Sequence, residues 1–289
     1  MILYYAFGGG LGHLTRARAF FHTRGIRDRA VILTASHFAT DPRIVGDAGI
    51  ITVPADLAED IPRYRQWLCE TIDRVCPDEI YIDSFPAGIL GEFCDFPFPE
   101  HTALYHLARL LRWSEYSRTI RGAPPSFRLT YELEPLANEH QQFLRDHSAK
   151  ITPLALRNPT SNRESEAGEI TEQLACVGNP VWVIVHSGPD EEIAELIAYA
   201  DEMSGLEKIE PAFILVAPAR PMEMPSHIKH LDFYPASALF PFADRIITAC
   251  GFNVMRETEE FKEKHRFLPL ARRYDDQFLR AARRKKIER

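Results

Sequence analysis

Apolar and polar positions alternate in long blocks along this chain. Short apolar runs read as strands at 2–7, 30–35, 50–53, 79–83, 102–107, 127–132 and 151–156. Segments with helical spacing fall between them at 14–24, 63–75 and 137–148; in the first, Leu14, Ala17, Phe20 and Phe21 share one face. Alternation of this kind predicts a mostly parallel sheet with helices on both faces.

From Arg157 to Ala175 the composition turns polar and loses its apolar period, which marks a candidate linker. A second alternation follows, with strands at 181–186, 213–216 and 230–234 and a helix at 190–204. The last element set runs strand, glycine turn, helix, strand, polar loop and helix, from Ala243 to the C-terminal region. The expected organisation is an N-terminal α/β domain at 1–157, a linker at 158–175 and a C-terminal α/β domain at 176–289. Two such units joined by one polar stretch predict a cleft between them. No internal repeat goes beyond the shared architecture.

Composition changes this picture little. At 289 residues and 45% hydrophobic content the chain can bury a large core. No apolar run reaches the length of a membrane span, and Met1 leads directly into a strand without a signal peptide, so the expected location is the cytoplasm. Cys69, Cys76, Cys94, Cys176 and Cys250 have no paired spacing, which argues against structural zinc and against a disulfide framework. The net charge of -7 argues against nucleic-acid binding. Between 272 and 289, however, eight basic residues face three acidic ones. That tail reads first as a solvated helix end, with peripheral contact to an anionic membrane or folding back onto the acidic body as alternatives.

Two segments carry candidate chemistry. Phe7-Gly8-Gly9-Gly10-Leu11-Gly12-His13 follows the first strand, and its glycines allow close approach of backbone to a ligand. It does not match the dinucleotide fingerprint, and the second strand ends without the acid such a site needs, so a nicotinamide or flavin is not expected. His13 is either a cap at the turn or a general base. Asp83 closes the fourth strand and is the second candidate for a base or for an acceptor contact; a turn role before Pro86 is the plain alternative. His106, Arg109 and Glu134 stand at similar strand ends.

Near the C-terminus, Gly251 turns a strand into a helix beginning around Phe252 and Asn253, a place suited to an anion such as phosphate. Glu257, about one turn later, either steadies the helix dipole or accepts ribose hydroxyls. Asp275, Asp276 and Gln277 either cap the last helix or offer acceptors and an amide to sugar hydroxyls.

These two segments resemble the GT-B glycosyltransferases, in particular the bacterial peptidoglycan N-acetylglucosaminyltransferase and its relatives. The resemblance implies two Rossmann-like domains facing across a cleft, with metal-independent transfer of a sugar from a UDP-sugar or another nucleotide-diphosphate sugar to an unidentified hydroxyl acceptor. It assigns His13 and Asp83 to catalysis. It assigns Gly10, Gly12, Ser187, Gly251, Phe252, Asn253, Glu257, Arg273, Asp275, Asp276 and Gln277 to the donor, which is a substrate; no metal or further cofactor is implied. The chain departs from that pattern at Trp182, where a basic residue is expected after Gly178-Asn179-Pro180-Val181; Arg272 or Arg273 would have to substitute. It also departs in the short loop at Ser187-Gly188-Pro189, followed by acids. The remaining readings are a non-catalytic nucleotide-sugar-binding or partner subunit, and a UDP-sugar 2-epimerase, which shares the fold and would draw its carboxylates from Asp83, Glu132 and Glu134.

Overall fold

The computed structural model describes residues 1–26, 29–57, 60–174 and 178–287; Cys176 and the end of the expected linker lie outside them. The chain forms two compact units, Met1–Pro159 with Arg273–Asp276, and Thr160–Arg272 with Gln277–Arg289.

The first unit contains strands β1 (Ile2–Ala6), β2 (Ala30–Thr34), β3 (Gly49–Thr52), β4 (Glu79–Asp83), β5 (Ala103–Ala108), β6 (Leu129–Glu132) and β7 (Ile151–Pro153). Its helices are α1 (Leu11–Arg24), α2 (Pro42–Val45), α3 (Ile61–Val75), α4 (Trp113–Tyr116) and α5 (Asn138–His147). All seven strands are parallel, in the order β3-β2-β1-β4-β5-β6-β7. Strands in such a sheet are covered on both faces, which is why β1 is apolar throughout. Leu3 and Tyr5 pack with Leu33, Tyr64, Leu68 and Ile82. On the other face Tyr4 meets Phe20 and Phe21 of α1.

The second unit contains α6 (Glu164–Leu174), β8 (Val181–Val185), α7 (Asp190–Glu207), β9 (Ala212–Val216), β10 (Ile228–Leu231), β11 (Arg245–Ala249), α8 (Phe252–Glu257), β12 (His265–Leu268) and α9 (Gln277–Ile287). Its five strands are parallel in the order β10-β9-β8-β11-β12. Alternate residues divide between two cores: Trp182, Ile184, Phe213 and Leu215 pack with α7, while Val181, Val183, Ile214 and Val216 pack with Leu239 and Phe240.

Three local features differ from the sequence reading, and the burial of Trp182 accounts for a departure noted in it. The polar stretch before Ala175 carries α6, whose Ala167 and Thr171 are buried, because those two positions share one helical face. Helix α1 begins at Leu11 after an extended Gly10, so Gly12 lies in the helix and His13 is its third residue. Trp182 is fully buried, edge-on to Phe213; its position faces the core, where a cation would be desolvated. The basic tail is not simply a solvated end, since Arg280 and Arg284 are buried and donate to Cys250 O and Met255 O at 2.7 and 2.8 Å. Among the described residues no helix is long and apolar enough to cross a membrane.

Candidate functional site

In a sheet of this order the chain leaves β1 in one direction and β4 in the other, and ligands collect at the carboxyl ends beside that reversal. The register pairs Tyr5 with Ile82, so Ala6 and Asp83 end adjacent strands at the same level. The glycine loop after β1 and the first turn of α1 then bring His13 over the end of β4.

There His13 Nδ1 lies 2.5 Å from Asp83 Oδ2. The same carboxylate accepts from Arg16 through Nε to Oδ1 at 2.6 Å and Nη2 to Oδ2 at 2.7 Å. Arg16 stands one turn after His13 on α1 and is only 3% exposed. Its Nη2 also donates to Ser84 Oγ at 2.9 Å, and Ser84 accepts in turn from Arg109 Nε at 2.8 Å. Ser84 holds this place in a left-handed conformation, φ 67°, which is uncommon outside glycine. Arg109 Nη1 continues the chain to Asp275 Oδ1 at 2.5 Å. His13, Asp83, Arg16, Ser84, Arg109 and Asp275 thus form one hydrogen-bonded series within the first unit.

Burial by itself would raise the Asp83 carboxyl, but the charge of Arg16 and the bonds from His13 and Arg16 hold it well below the usual carboxylate range. An ionised carboxylate can only accept, so the His13 proton sits on Nδ1 and Nε2 is the basic nitrogen. Burial lowers the His13 pKa below its ordinary 6.5; Asp83 works against this, and Arg16 and Arg109 add to it. Gly8 lies tight against this ring, for a Cβ there would stand 2.7 Å from Nε2. His13 and Asp83 are therefore one pair rather than two alternative bases. Arg16 was missed by reading the apolar face of α1; its spacing of three from His13 was the available signal.

In the second unit the corresponding reversal lies between β8 and β11, whose register pairs Val185 with Thr248. The loop after β8 exposes Ser187, and just before it His186 Nε2 meets Glu192 Oε2 at 2.7 Å. Glu192 also pairs with Arg272. The loop after β11 holds Gly251 in extended conformation, followed by buried Phe252, partly buried Asn253, and Glu257 paired with Arg256 at 3.3 Å. Arg273 is exposed over the Tyr274 ring, and Asp275 and Asp276 belong with Arg273 to the first unit. Ser187, Gly251, Asn253 and Glu257 therefore gather around one strand reversal, whereas Arg273, Asp275 and Asp276 belong to the other unit.

Gln277 is 3% exposed, and its Oε1 accepts from Cys250 N at 3.0 Å and Leu270 N at 3.1 Å, joining the ends of two strands. Gln277→Ala strands both amides. We expect it to lower unfolding stability by about 2–4 kcal/mol, read from the urea midpoint.

Among the described residues no group of three or more His, Cys, Asp or Glu side chains is placed to hold a metal ion. No family model matches the chain. No curated protein matches it. Solved structures do resemble it over nearly its whole length. The spinosyn rhamnosyltransferase SpnG complexed with thymidine diphosphate aligns at 9% identity with a TM-score of 0.62, over 99% of this chain and 84% of that one. SsfS6, a glycosyltransferase of Streptomyces sp. SF2575, aligns at 13% identity and 0.54, over 99% and 85%. The UDP-GlcNAc 2-epimerase of Neisseria meningitidis bound to UDP-GlcNAc aligns at 11% and 0.61, over 93% and 82%. At these identities the likeness concerns architecture, and the architecture is the GT-B fold of two Rossmann-like domains with parallel sheets.

Proposed function

We propose that this chain is a glycosyltransferase that moves a sugar from a nucleotide-diphosphate sugar, uridine-based, to a hydroxyl acceptor without a metal ion. The observation that carries the reading is the His13–Asp83 pair at the strand reversal of the first sheet. In the reaction, His13 Nε2 takes the acceptor hydroxyl proton, the acceptor oxygen bonds to the anomeric carbon, and the bond from that carbon to the diphosphate oxygen breaks with its electron pair. Asp83 holds the ring in the tautomer that leaves Nε2 free to take that proton.

The second unit is assigned the donor. Amides after Gly251 would meet diphosphate charge and Glu257 would accept ribose hydroxyls, with Ser187 and Asn253 beside them. The finer likeness to the peptidoglycan N-acetylglucosaminyltransferase rests on these residues of the second unit. Asp275 and Asp276 are assigned to sugar hydroxyls, with Asp275 shared with Arg109. A 2-epimerase is the second reading, supported by the likeness to the Neisseria enzyme. The commitments of its candidate carboxylates count against it: Asp83 is held by Arg16 and His13, and Glu134 accepts from Leu110 N at 2.9 Å.

The test is incubation with a panel of UDP- and thymidine diphosphate-sugars while nucleotide release and sugar identity are followed. Slow release of uridine diphosphate, reduced in His13→Ala and in Glu257→Ala, is expected. Conversion to the 2-epimer would decide for the epimerase, and binding with no turnover, even with cell extracts supplying acceptors, for a binding subunit.

A further inference from the structure

Arg16 is the group in the first unit whose chemistry the pairing of His13 with Asp83 leaves unexplained. A histidine whose Nδ1 is held by a buried carboxylate is normally made more basic by it, because the anion favours the imidazolium. Here that pull is opposed by a guanidinium. Arg16 grips both Asp83 oxygens at 2.6 and 2.7 Å, and its Nη2 also stands 3.3 Å from His13 Nδ1.

The other groups around His13 keep the same balance. Ser84 is neutral and bridges Arg16 to Arg109. Tyr4 of β1 lies beside Asp83 and Arg16, with its phenol pushed far above its ordinary range by burial and by Asp83, so it stays uncharged. Arg109 is matched by Asp275. Among these contacts two carboxylates face two guanidiniums, and a proton added to His13 would add positive charge to a site where the Asp83 side chain is wholly inaccessible.

We propose that Arg16 is a positioning residue: by neutralising Asp83 it lets the carboxylate fix the His13 tautomer without drawing a proton onto the ring, so that Nε2 stays free to accept one. This deepens the reading of His13 as the base and rests on it. Orientation and charge are separated in this arrangement, Asp83 supplying the first and Arg16 cancelling the second.

The experiment is a titration of the His13 ring by NMR in protein carrying labelled histidine, with the resonance assigned through His13→Gln. In Arg16→Gln the bare Asp83 anion should raise the His13 pKa by about one to two pH units. Arg16→Lys, which keeps the charge, should leave it within a few tenths of the wild type. Because Arg16→Gln leaves a buried charge unpaired and can impair folding, the double variant Arg16→Gln/Asp83→Asn serves as the second arm. It removes both charges, and its His13 pKa should return close to the wild-type value. An unchanged His13 pKa in Arg16→Gln, an equal rise in Arg16→Lys, or a raised value persisting in the double variant would overturn the proposal. None of these readouts requires turnover. Failure of the wild type to release nucleotide from any donor would count against the glycosyltransferase reading and leave the titration result standing.

Discussion

Replacing His13 by alanine is expected to lower nucleotide release in the presence of acceptor by about 10²- to 10⁴-fold, the usual contribution of a positioned general base. Donor affinity should change less than kcat, because the residues assigned to the diphosphate and ribose belong to the second unit. The loss should therefore fall on kcat, as it does when an interaction made in the transition state is removed. Asp83→Asn should also cost activity, because an amide can donate to Nδ1 and favour the wrong tautomer. The pH profile gives an independent check. Burial holds the His13 pKa below 6.5, so the neutral ring persists to lower pH and the acid limb of kcat/KM should lie below that value. An acid limb above 6.5, or a His13→Ala enzyme with unchanged kcat, would remove His13 from the mechanism.

The sheets were legible because parallel strands covered on both faces are apolar along their length, and β1 and β8 show this plainly. The strand-reversal rule places His13 and Asp83 on one rim from the sequence alone. Their pairing was not legible, since it depends on the register of β1 with β4 across 70 residues of chain. Polar residues with buried duties were the main blind spot. Arg16, Gln277, Arg280 and Arg284 are each less than 7% exposed, yet their types suggest surface or ligand roles. Each meets charge or backbone groups brought from distant segments, and local spacing does not encode those. The folded-back helix α9 illustrates this: Arg280 and Arg284 lie four apart on one face, a stripe visible in the sequence but hidden among six other basic residues.

Acidification from pH 7 to pH 5 should destabilise both units. His106 and His140 in the first and His265 in the second are buried, and burial lowers their pKa values to about 4, about 3 and about 3. His106 Nδ1 meets Ile82 O at 2.9 Å, while neither ring nitrogen of His140 has a partner among the described residues. In the unfolded chain each should titrate near 6.5. Below that pH the unfolded state binds more protons than the folded state, so stability is full above about 6.5 and declines as pH falls towards the folded values. At pH 5 the cost is about 2 kcal/mol per histidine, a large share of the typical stability of a domain. Glu92 acts in the opposite sense. Burial raises its pKa against the bond from Tyr5, so the folded first unit holds that proton more tightly and recovers part of the loss. Urea midpoints at pH 7 and pH 5 should therefore fall for both units, with Glu92 moderating the first. The decisive variant is His140→Phe, which keeps a ring against Trp113, now stacked on His140 at 4.2 Å, and removes the titrating group. It should reduce the difference in unfolding free energy between the two pH values by about 2 kcal/mol, and an undiminished difference would show that His140 does not enter the folded state neutral.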